Sequence, residues 1–241
     1  MSRSPADAPA PAGARERRAG RRLILAALAL GLAVGAGDAG RAALGRWIAA
    51  TPLPPLAAAT GTEVLARDSS LLRAFQVGDG LWRLAPPPEG VDPRFLAMLL
   101  AWEDQRFRDH AGVDPRAVLR AGWQAARHGR VVSGASTLTM QVARLLERGP
   151  TGDWRGKLRQ ARLALALERR LGKDRILQLY LTLAPYGGNV EGVRAAALMW
   201  FGKEPRRLTP AEAALLVALP QAPEARRPDR AEGRAAARAA R

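Results

Sequence analysis

The sequence contains no cysteine, only two histidines and few aromatic residues. Without cysteine, disulfides, thiol catalysis and cysteine metal sites are excluded. His110 and His128 are too few for a multi-histidine metal centre, so we predict no bound metal. Aromatic residues make up 5% of the chain, and alanine and leucine supply most of the 48% that is hydrophobic. This composition favours helices over a β-sandwich, and 241 residues suit one domain with an appendage.

Lysine is also scarce, although the net charge is +16 and 38 residues are basic. One interpretation is an anionic partner, such as nucleic acid, anionic lipid or a diphosphate. The other is a compositional bias that places arginines on solvated faces. Residues 1–22 and the Arg/Ala tail 231–241 carry no aromatic residue between their basic ones. Nucleic-acid binding is therefore the weakest hypothesis, and we predict no nucleic-acid partner.

No apolar run is long enough to span a bilayer comfortably. The longest uncharged run, residues 23–37, would extend ~22 Å as a helix, against a hydrocarbon core of ~30 Å. It fits a signal-peptide core, a signal anchor, a tight membrane span or a buried soluble helix. The arginines before it would hold the amino terminus in the cytoplasm. We predict a disordered cytoplasmic tail over 1–22 and a membrane anchor over 23–42.

The rest of the chain predicts a connector followed by helices. Residues 43–90 form a linker with a small β element, because TEVLAR, LLRAFQV and LWRLAP are separated by polar turns, as in a hairpin or meander. From 91 to 230 the fold class is mainly α. Apolar residues at helical spacing predict a helix over Phe95–Arg106. Asp114 and Pro115 open the next helix.

Three later helices have recognisable ends. A helix over Ala161–Leu171 ends near Gly172, and Asp174 caps another that stops before Pro185. Gly202 ends the helix that runs through Met199. The sequence Thr209-Pro210-Ala211-Glu212 is a capping box.

Two adjacent acids close the helix that begins near Phe95, and a glycine-broken loop follows them. A carboxylate at the end of a buried helix, beside Trp102 and Phe107, can serve as a general base. The alternative is an exposed helix end with ordinary solvated acids. The residues of this first group are Glu103, Asp104, Phe107, His110, Gly112 and Asp114.

Hydroxyls and small residues then cluster at a helix start, over residues 133–141. Such a start offers backbone N–H groups and side-chain donors to an anion, although an ordinary N-cap is the commoner use. Arg144 and Lys157 follow, and they could meet a diphosphate or simply lie on a solvated helix face. The polar residues of this second group are Ser136, Thr137, Gln141, Arg144 and Lys157.

The order of these motifs resembles glycosyltransferase family 51, the peptidoglycan glycosyltransferases. The first three motifs are E-D-x-x-F-x-x-H-x-G-x-D, S-G-A-S-T-L-T-M-Q-V-A-R and G-K-L-R-Q. They are followed, in this order, by L-E-R-R-L-G-K-D-R-I-L-Q-L-Y-L, F-G-K, L-T-P-A-E-A-A-L-L, L-P-Q-A-P and R-P-D-R. The resemblance covers residues from about 60 to 230. It implies a lysozyme-like helical domain, spanning 91–230, with a membrane-proximal jaw. It also implies a single-pass protein of the bacterial inner membrane whose catalytic domain faces the periplasm.

The family's activity is inverting polymerisation of lipid II, with release of undecaprenyl diphosphate. The resemblance implies that Glu103 is the general base and that the other residues of the first group, together with Thr137, support it. It places Ser136, Gln141, Arg144 and Lys157 around the diphosphate, and Gln160 is predicted to bind the substrate with them. The implied partners are lipid II, the nascent glycan strand, the membrane and other cell-wall synthesis proteins. No cofactor is required, and Mg²⁺ or Mn²⁺ is expected at most to stimulate.

Three departures accompany the resemblance. Gln160 stands where most of the family has a second glutamate, Met140 replaces a glutamine and Thr182 a common asparagine. The first two are similar to the 1C type of this family. The Ser-x-x-Lys motif of the transpeptidase that follows in full-length members is absent from this sequence. Two alternatives therefore remain: a lytic transglycosylase or muramidase, and an inactive membrane scaffold of the cell-wall machinery.

Overall fold

The computed structural model describes residues 37–87, 89–128, 136–147 and 154–230, and these are mainly helical, as the composition predicts. The chain divides into two compact units, Met1–Ala50 and Thr51–Arg241. In the described part of the first unit, helix α1 covers residues 37–49. Both predicted tails lie outside the described residues, as does most of the predicted anchor. None of the described helices has the combination of length and apolar character that crossing a membrane requires.

The predicted hairpin is confirmed at the start of the second unit. Strand β1 (Glu63–Leu65) pairs antiparallel with β2 (Leu71–Ala74). The Asp68 carboxylate closes the turn by accepting hydrogen bonds from the backbone N–H and the hydroxyl of Ser70, at 3.0 and 2.7 Å.

The third predicted strand does not extend this hairpin into a meander. Strand β3 (Trp82–Arg83) pairs in parallel with β4 (Val190–Glu191), which the sequence did not predict. Arg83 joins the two strands, because its Nε donates to the Glu191 carboxylate at 2.9 Å. The partner of β3 is therefore a distant segment, which local sequence patterns do not indicate.

The described residues of the second unit form seven helices, most of which contribute buried side chains to one hydrophobic core. They are α2 (Pro93–Glu103), α3 (Pro115–His128), α4 (Leu138–Glu147), α5 (Trp154–Arg170), α6 (Lys173–Leu183), α7 (Val193–Phe201) and α8 (Pro210–Ala218), with a 3₁₀ turn at Leu219–Gln221. Helix α4 packs against α5 and α6, and α2 packs against α8. Leu138, Val142, Leu163 and Leu167 are fully buried, at the helical spacings that put one face of each helix inside.

Most predicted helix ends are confirmed. The Asp114 carboxylate accepts hydrogen bonds from the N–H groups of Arg116 and Ala117, and therefore caps α3. Gly202 ends α7 with a φ of 67°, a left-handed conformation that favours glycine. The capping box at Thr209 and Glu212 opens α8.

Two predicted boundaries are wrong. Helix α2 ends at Glu103 and not at Arg106, because Asp104 turns out of the helix with a φ of −162° to bond with groups elsewhere in the fold. Asp174 does not cap α6. Gly172 holds that position, and Asp174 lies in the first turn, where it pairs with Arg108.

Candidate active site

The end of α2, the start of α4, the first turns of α5 and the 3₁₀ turn after α8 enclose a cavity of about 530 Å³. The structure brings together six residues that the sequence analysis had selected for catalysis or diphosphate binding. They are Glu103, Ser136, Gln141, Arg144, Lys157 and Gln160. Met140, Leu145, Pro185, Pro220, Gln221 and Pro223 complete the lining. Among these lining residues Glu103 is the one acid, and Arg144 and Lys157 are the cations.

The Glu103 carboxylate is held from two sides. The side-chain amide of Gln141, on α4, donates to Oε2 at 2.8 Å. The side-chain amide of Gln221, on the 3₁₀ turn, donates to Oε1 at 2.9 Å. An ionised carboxylate accepts about four hydrogen bonds, so positions on both oxygens remain open for a substrate hydroxyl.

The cationic side of the cavity lies on α4 and α5. Lys157 donates to the Ser136 hydroxyl at 2.9 Å. Partial removal from water, and then repulsion by Arg144, lower the pKa of Lys157 from its ordinary value of 10.5. Gln160, one turn after Lys157, is 3% exposed. Two cations close enough to repel one another suit a ligand that carries more than one negative charge.

Asp104 faces away from this cavity and connects two motifs. Its carboxylate accepts a hydrogen bond from the N–H of Leu138 at 2.9 Å and contacts Nε2 of His110 at 3.0 Å. Nδ1 of His110 accepts from the N–H of Gly112, so Nε2 is the nitrogen that carries the hydrogen. Asp104 therefore connects the loop after Glu103 to the start of α4.

Two backbone N–H groups at the start of α4 have partners within the protein. Asp104 accepts from Leu138, and the Thr137 hydroxyl accepts from Met140 at 3.1 Å. Thr137 also donates to the carbonyl of Gly112 at 2.6 Å. Thr137 is thus an ordinary cap that fastens the loop. Ser133 to Ala135, the rest of that predicted cluster, lie outside the described residues.

Phe107 is buried within the loop that follows Glu103. Phe107 is 1% exposed, and the Lys173 ammonium lies 4.5 Å from its ring centre. Lys173 donates to the His110 carbonyl and to Glu168, both at 2.6 Å. Glu168 and Lys173 belong to the motif at residues 167–181, but the sequence alone indicates no role for them. The lone clue was their position in that motif.

A second cavity, of about 330 Å³, also borders Glu103. Glu103 and Ser136 line both cavities, and Asp104, Asp114 and Thr137 line the second one. A base that borders two cavities can contact one reactant while another occupies the neighbouring space.

Two buried phenols, neither of them selected from the sequence, lie near Glu103. Neither the Tyr180 nor the Tyr186 hydroxyl has a hydrogen-bond partner among the described residues. Burial raises the pKa of both, and the negative charge of Glu103 adds to the effect. Both phenols therefore stay neutral beside the carboxylate.

A family model described as transglycosylase matches residues 69–241. The sequence is 48% identical to penicillin-binding protein 1C of Escherichia coli over 186 residues, which are 77% of this chain and 24% of that protein. It is 42% identical to penicillin-binding protein 1A of Aquifex aeolicus over 136 residues, 56% of this chain and 18% of that protein. For penicillin-binding protein 1A of Pseudomonas aeruginosa the identity is 38% over 162 residues, 67% of this chain and 19% of that protein. The chain thus spans at most about a quarter of these relatives.

Proposed function

Because the chain belongs to the transglycosylase family, we propose that it is a peptidoglycan glycosyltransferase that joins lipid II units into glycan strands. The observation that carries the proposal is the charge arrangement of the larger cavity. One carboxylate, Glu103, lines the same cavity as the cations Arg144 and Lys157. A glycosyl transfer from a lipid diphosphate needs a base for the acceptor and positive charge for the leaving group.

Glu103 acts on the acceptor. It takes the proton of the GlcNAc 4-hydroxyl as that oxygen attacks C1 of the donor MurNAc. The new bond forms on the face opposite the lipid diphosphate, so the anomeric centre inverts. The bond between C1 and the phosphate oxygen breaks, and its electron pair leaves with undecaprenyl diphosphate. The two amides on Glu103 hold its carboxylate in one orientation during this step.

Arg144, Lys157 and Ser136 act on the departing diphosphate. Lys157 reaches the Ser136 hydroxyl, so both can donate to the same group of phosphate oxygens. Gln160 lines this side of the cavity and can donate or accept a hydrogen bond without ionising. A diphosphate is a stable anion and requires charge stabilisation more than a proton, so one carboxylate is enough.

Cleavage of glycan by a lytic transglycosylase or muramidase is the competing function. There the leaving group is a sugar hydroxyl, which requires a proton from an acid, and Arg144 and Lys157 would have no anion to stabilise. These two cations, which we call the cationic wall of the cavity, therefore favour synthesis. An inactive scaffold would also leave this charge arrangement without use.

We further propose that the protein is bound to the bacterial inner membrane by a single span, with residues after the anchor in the periplasm. The support is the arginine cluster that precedes the apolar run at 23–37, and a substrate that is itself a lipid. Other cell-wall synthesis proteins are the expected partners, and nucleic acid is not. A reporter fused after Arg230 should be active only outside the cytoplasm. Activity of that reporter in the cytoplasm would contradict the proposed topology.

The proposal includes no required cofactor. The described residues offer no group of three or more acidic or histidine side chains that could hold an ion. We derive no step through a metal, and we expect Mg²⁺ or Mn²⁺ at most to stimulate by binding the diphosphate of the substrate. Polymerisation should therefore continue in EDTA, at a reduced rate.

The experiment that tests the function is incubation of the purified full chain in detergent with labelled lipid II. Products are separated by size before and after muramidase digestion. Long polymer that muramidase degrades supports synthesis. Loss of label from pre-formed glycan, with no polymer made from lipid II, would establish the lytic alternative. A matched control is Glu89→Gln, which changes an exposed acid that does not line the cavity.

A further inference from the structure

The second amide that holds Glu103 comes from a segment to which the sequence analysis gave no function. Gln221 lies 118 residues after Glu103, at the end of the 3₁₀ turn Leu219–Gln221. Leu219 is fully buried, and the N–H of Ala222 donates to its carbonyl at 3.1 Å. The turn is therefore anchored in the core, while Gln221 faces the cavity.

Arg226 determines which end of the Gln221 side chain meets Glu103. Its Nη1 donates to Oε1 of Gln221 at 3.1 Å and to the Ala218 carbonyl at 2.6 Å. Arginine can only donate hydrogen bonds, so the oxygen of Gln221 must face Arg226 and its NH₂ group must face Glu103. The reversed amide would place two donors together at Arg226 and two acceptors together at Glu103.

The backbone brings Arg226 to this position. The N–H of Arg226 donates to the carbonyl of Ala222 at 3.0 Å, which turns the chain back towards the end of α8. Residues 218–226 thus form a short closed structure with Gln221 and Arg226 on the same side. It joins a buried helix end to the carboxylate at the end of α2.

We propose that Gln221, oriented by Arg226, is a positioning residue for Glu103 in the glycosyl transfer. This inference rests on the proposed function, in which Glu103 is the base. Gln141 fixes one carboxylate oxygen from α4, and Gln221 fixes the other from the opposite wall. With both oxygens held, the carboxylate cannot rotate about its terminal bond, and one direction remains for the proton of the acceptor hydroxyl.

The contact should matter more during turnover than in the free protein. Gln221 is exposed in the open cavity, where water can replace its hydrogen bond to Glu103. A bound substrate excludes that water, and without Gln221 the carboxylate would then be held by Gln141 alone. The loss should therefore appear in kcat, while binding of lipid II, which depends on the cationic wall, stays nearly constant.

The first test compares steady-state kinetics of variants with lipid II in detergent. Gln221→Leu and Gln221→Glu should each lower kcat roughly tenfold, with KM changed less than about twofold. Arg226→Leu should lower kcat by a similar factor, and Arg226→Lys, which keeps a donor for Oε1 of Gln221, should recover most of it. Arg230→Ala, four residues after Arg226 and outside the cavity lining, is the matched control. If kcat is unchanged in both Gln221 variants while the parent polymerises lipid II, the inference is wrong.

A second measurement does not depend on activity and separates this inference from the proposed function. With selective ¹⁵N labelling of glutamine, the side-chain amide signals of Gln221 and Gln141 are assigned from their Leu variants. Glu103→Ala should shift both signals, whereas Arg226→Leu should shift that of Gln221 alone. A Gln221 signal that does not respond to Glu103→Ala would overturn the inference, whether or not the parent makes polymer. An inactive parent with the expected shifts would keep the geometry and overturn the function instead.

Discussion

Replacement of Glu103 by glutamine tests the assignment of the base most directly. The change keeps the size of the side chain and removes its charge and its proton-accepting oxygen. Glu103 now accepts one amide hydrogen bond on each oxygen, at 2.8 and 2.9 Å. A glutamine has one oxygen, so either Gln141 or Gln221 would face an NH₂ group and would have to turn away.

The expected loss of activity follows from these two effects. Removal of a general base typically lowers the rate by about 10² to 10⁴. The mismatched amide would also misplace the residue that remains. We therefore expect polymerisation to fall at least about a hundredfold, equivalent to about 2.7 kcal/mol in the barrier. The fold should be retained, because Glu103 lies at a helix end and is only partly buried, so that the melting temperature should change by a few degrees at most.

The assay is initial-rate polymerisation of labelled lipid II in detergent, with Glu89→Gln as the control for loss of an exposed acid. Circular dichroism and thermal unfolding are measured on the same samples, so that a misfolded variant is recognised. Binding of a non-hydrolysable lipid diphosphate should be close to that of the parent. If a correctly folded Glu103→Gln variant polymerises lipid II at a near-parental rate, Glu103 is not the base.

Three further predictions concern the two cations of the cavity, Gln160, and the loop that contains Gly112. Because the pKa of Lys157 is lowered, its charge is lost as pH rises through a value below 10.5. The kcat/KM for lipid II should fall over the same alkaline range. Arg144→Ala, which removes the repulsion, should shift this fall to higher pH. If this fall stays at the same pH in Arg144→Ala, Arg144 does not affect the titration of Lys157. Gln160→Glu should keep activity within about an order of magnitude of the parent, since the leaving diphosphate needs charge more than a proton, whereas an inactive parent that Gln160→Glu activates would establish the scaffold alternative. Gly112→Ala should lower the free energy of unfolding by about 2–4 kcal/mol in urea titrations. The reason is that Gly112 has a φ of 95° and that a Cβ there would lie 2.7 Å from the Ala164 carbonyl oxygen. A change below about 1 kcal/mol would show that the loop adapts.

Local physics made much of the fold readable from the sequence. The caps at Asp114, Gly202 and Thr209 depend on hydrogen bonds within a few residues, and their residue types are specific for those positions. Apolar periodicity predicted the helix from Phe95 in the same way, and its residues Phe95 and Leu99 are buried in α2. The resemblance to a known family, and not the spacing alone, selected six residues that line one cavity.

Only the tertiary structure decided how those residues are connected. Asp104 was selected beside Glu103 as a second acid, yet it leaves the helix to bond with Leu138, and this ends α2 three residues early. Strand β3 pairs with β4, which lies about a hundred residues later, and the Arg83–Glu191 ion pair joins the two strands. Gln221 reaches Glu103 because α8 packs on α2. Contacts over such separations depend on how complete helices pack, and the local sequence carries no record of the distance between two side chains.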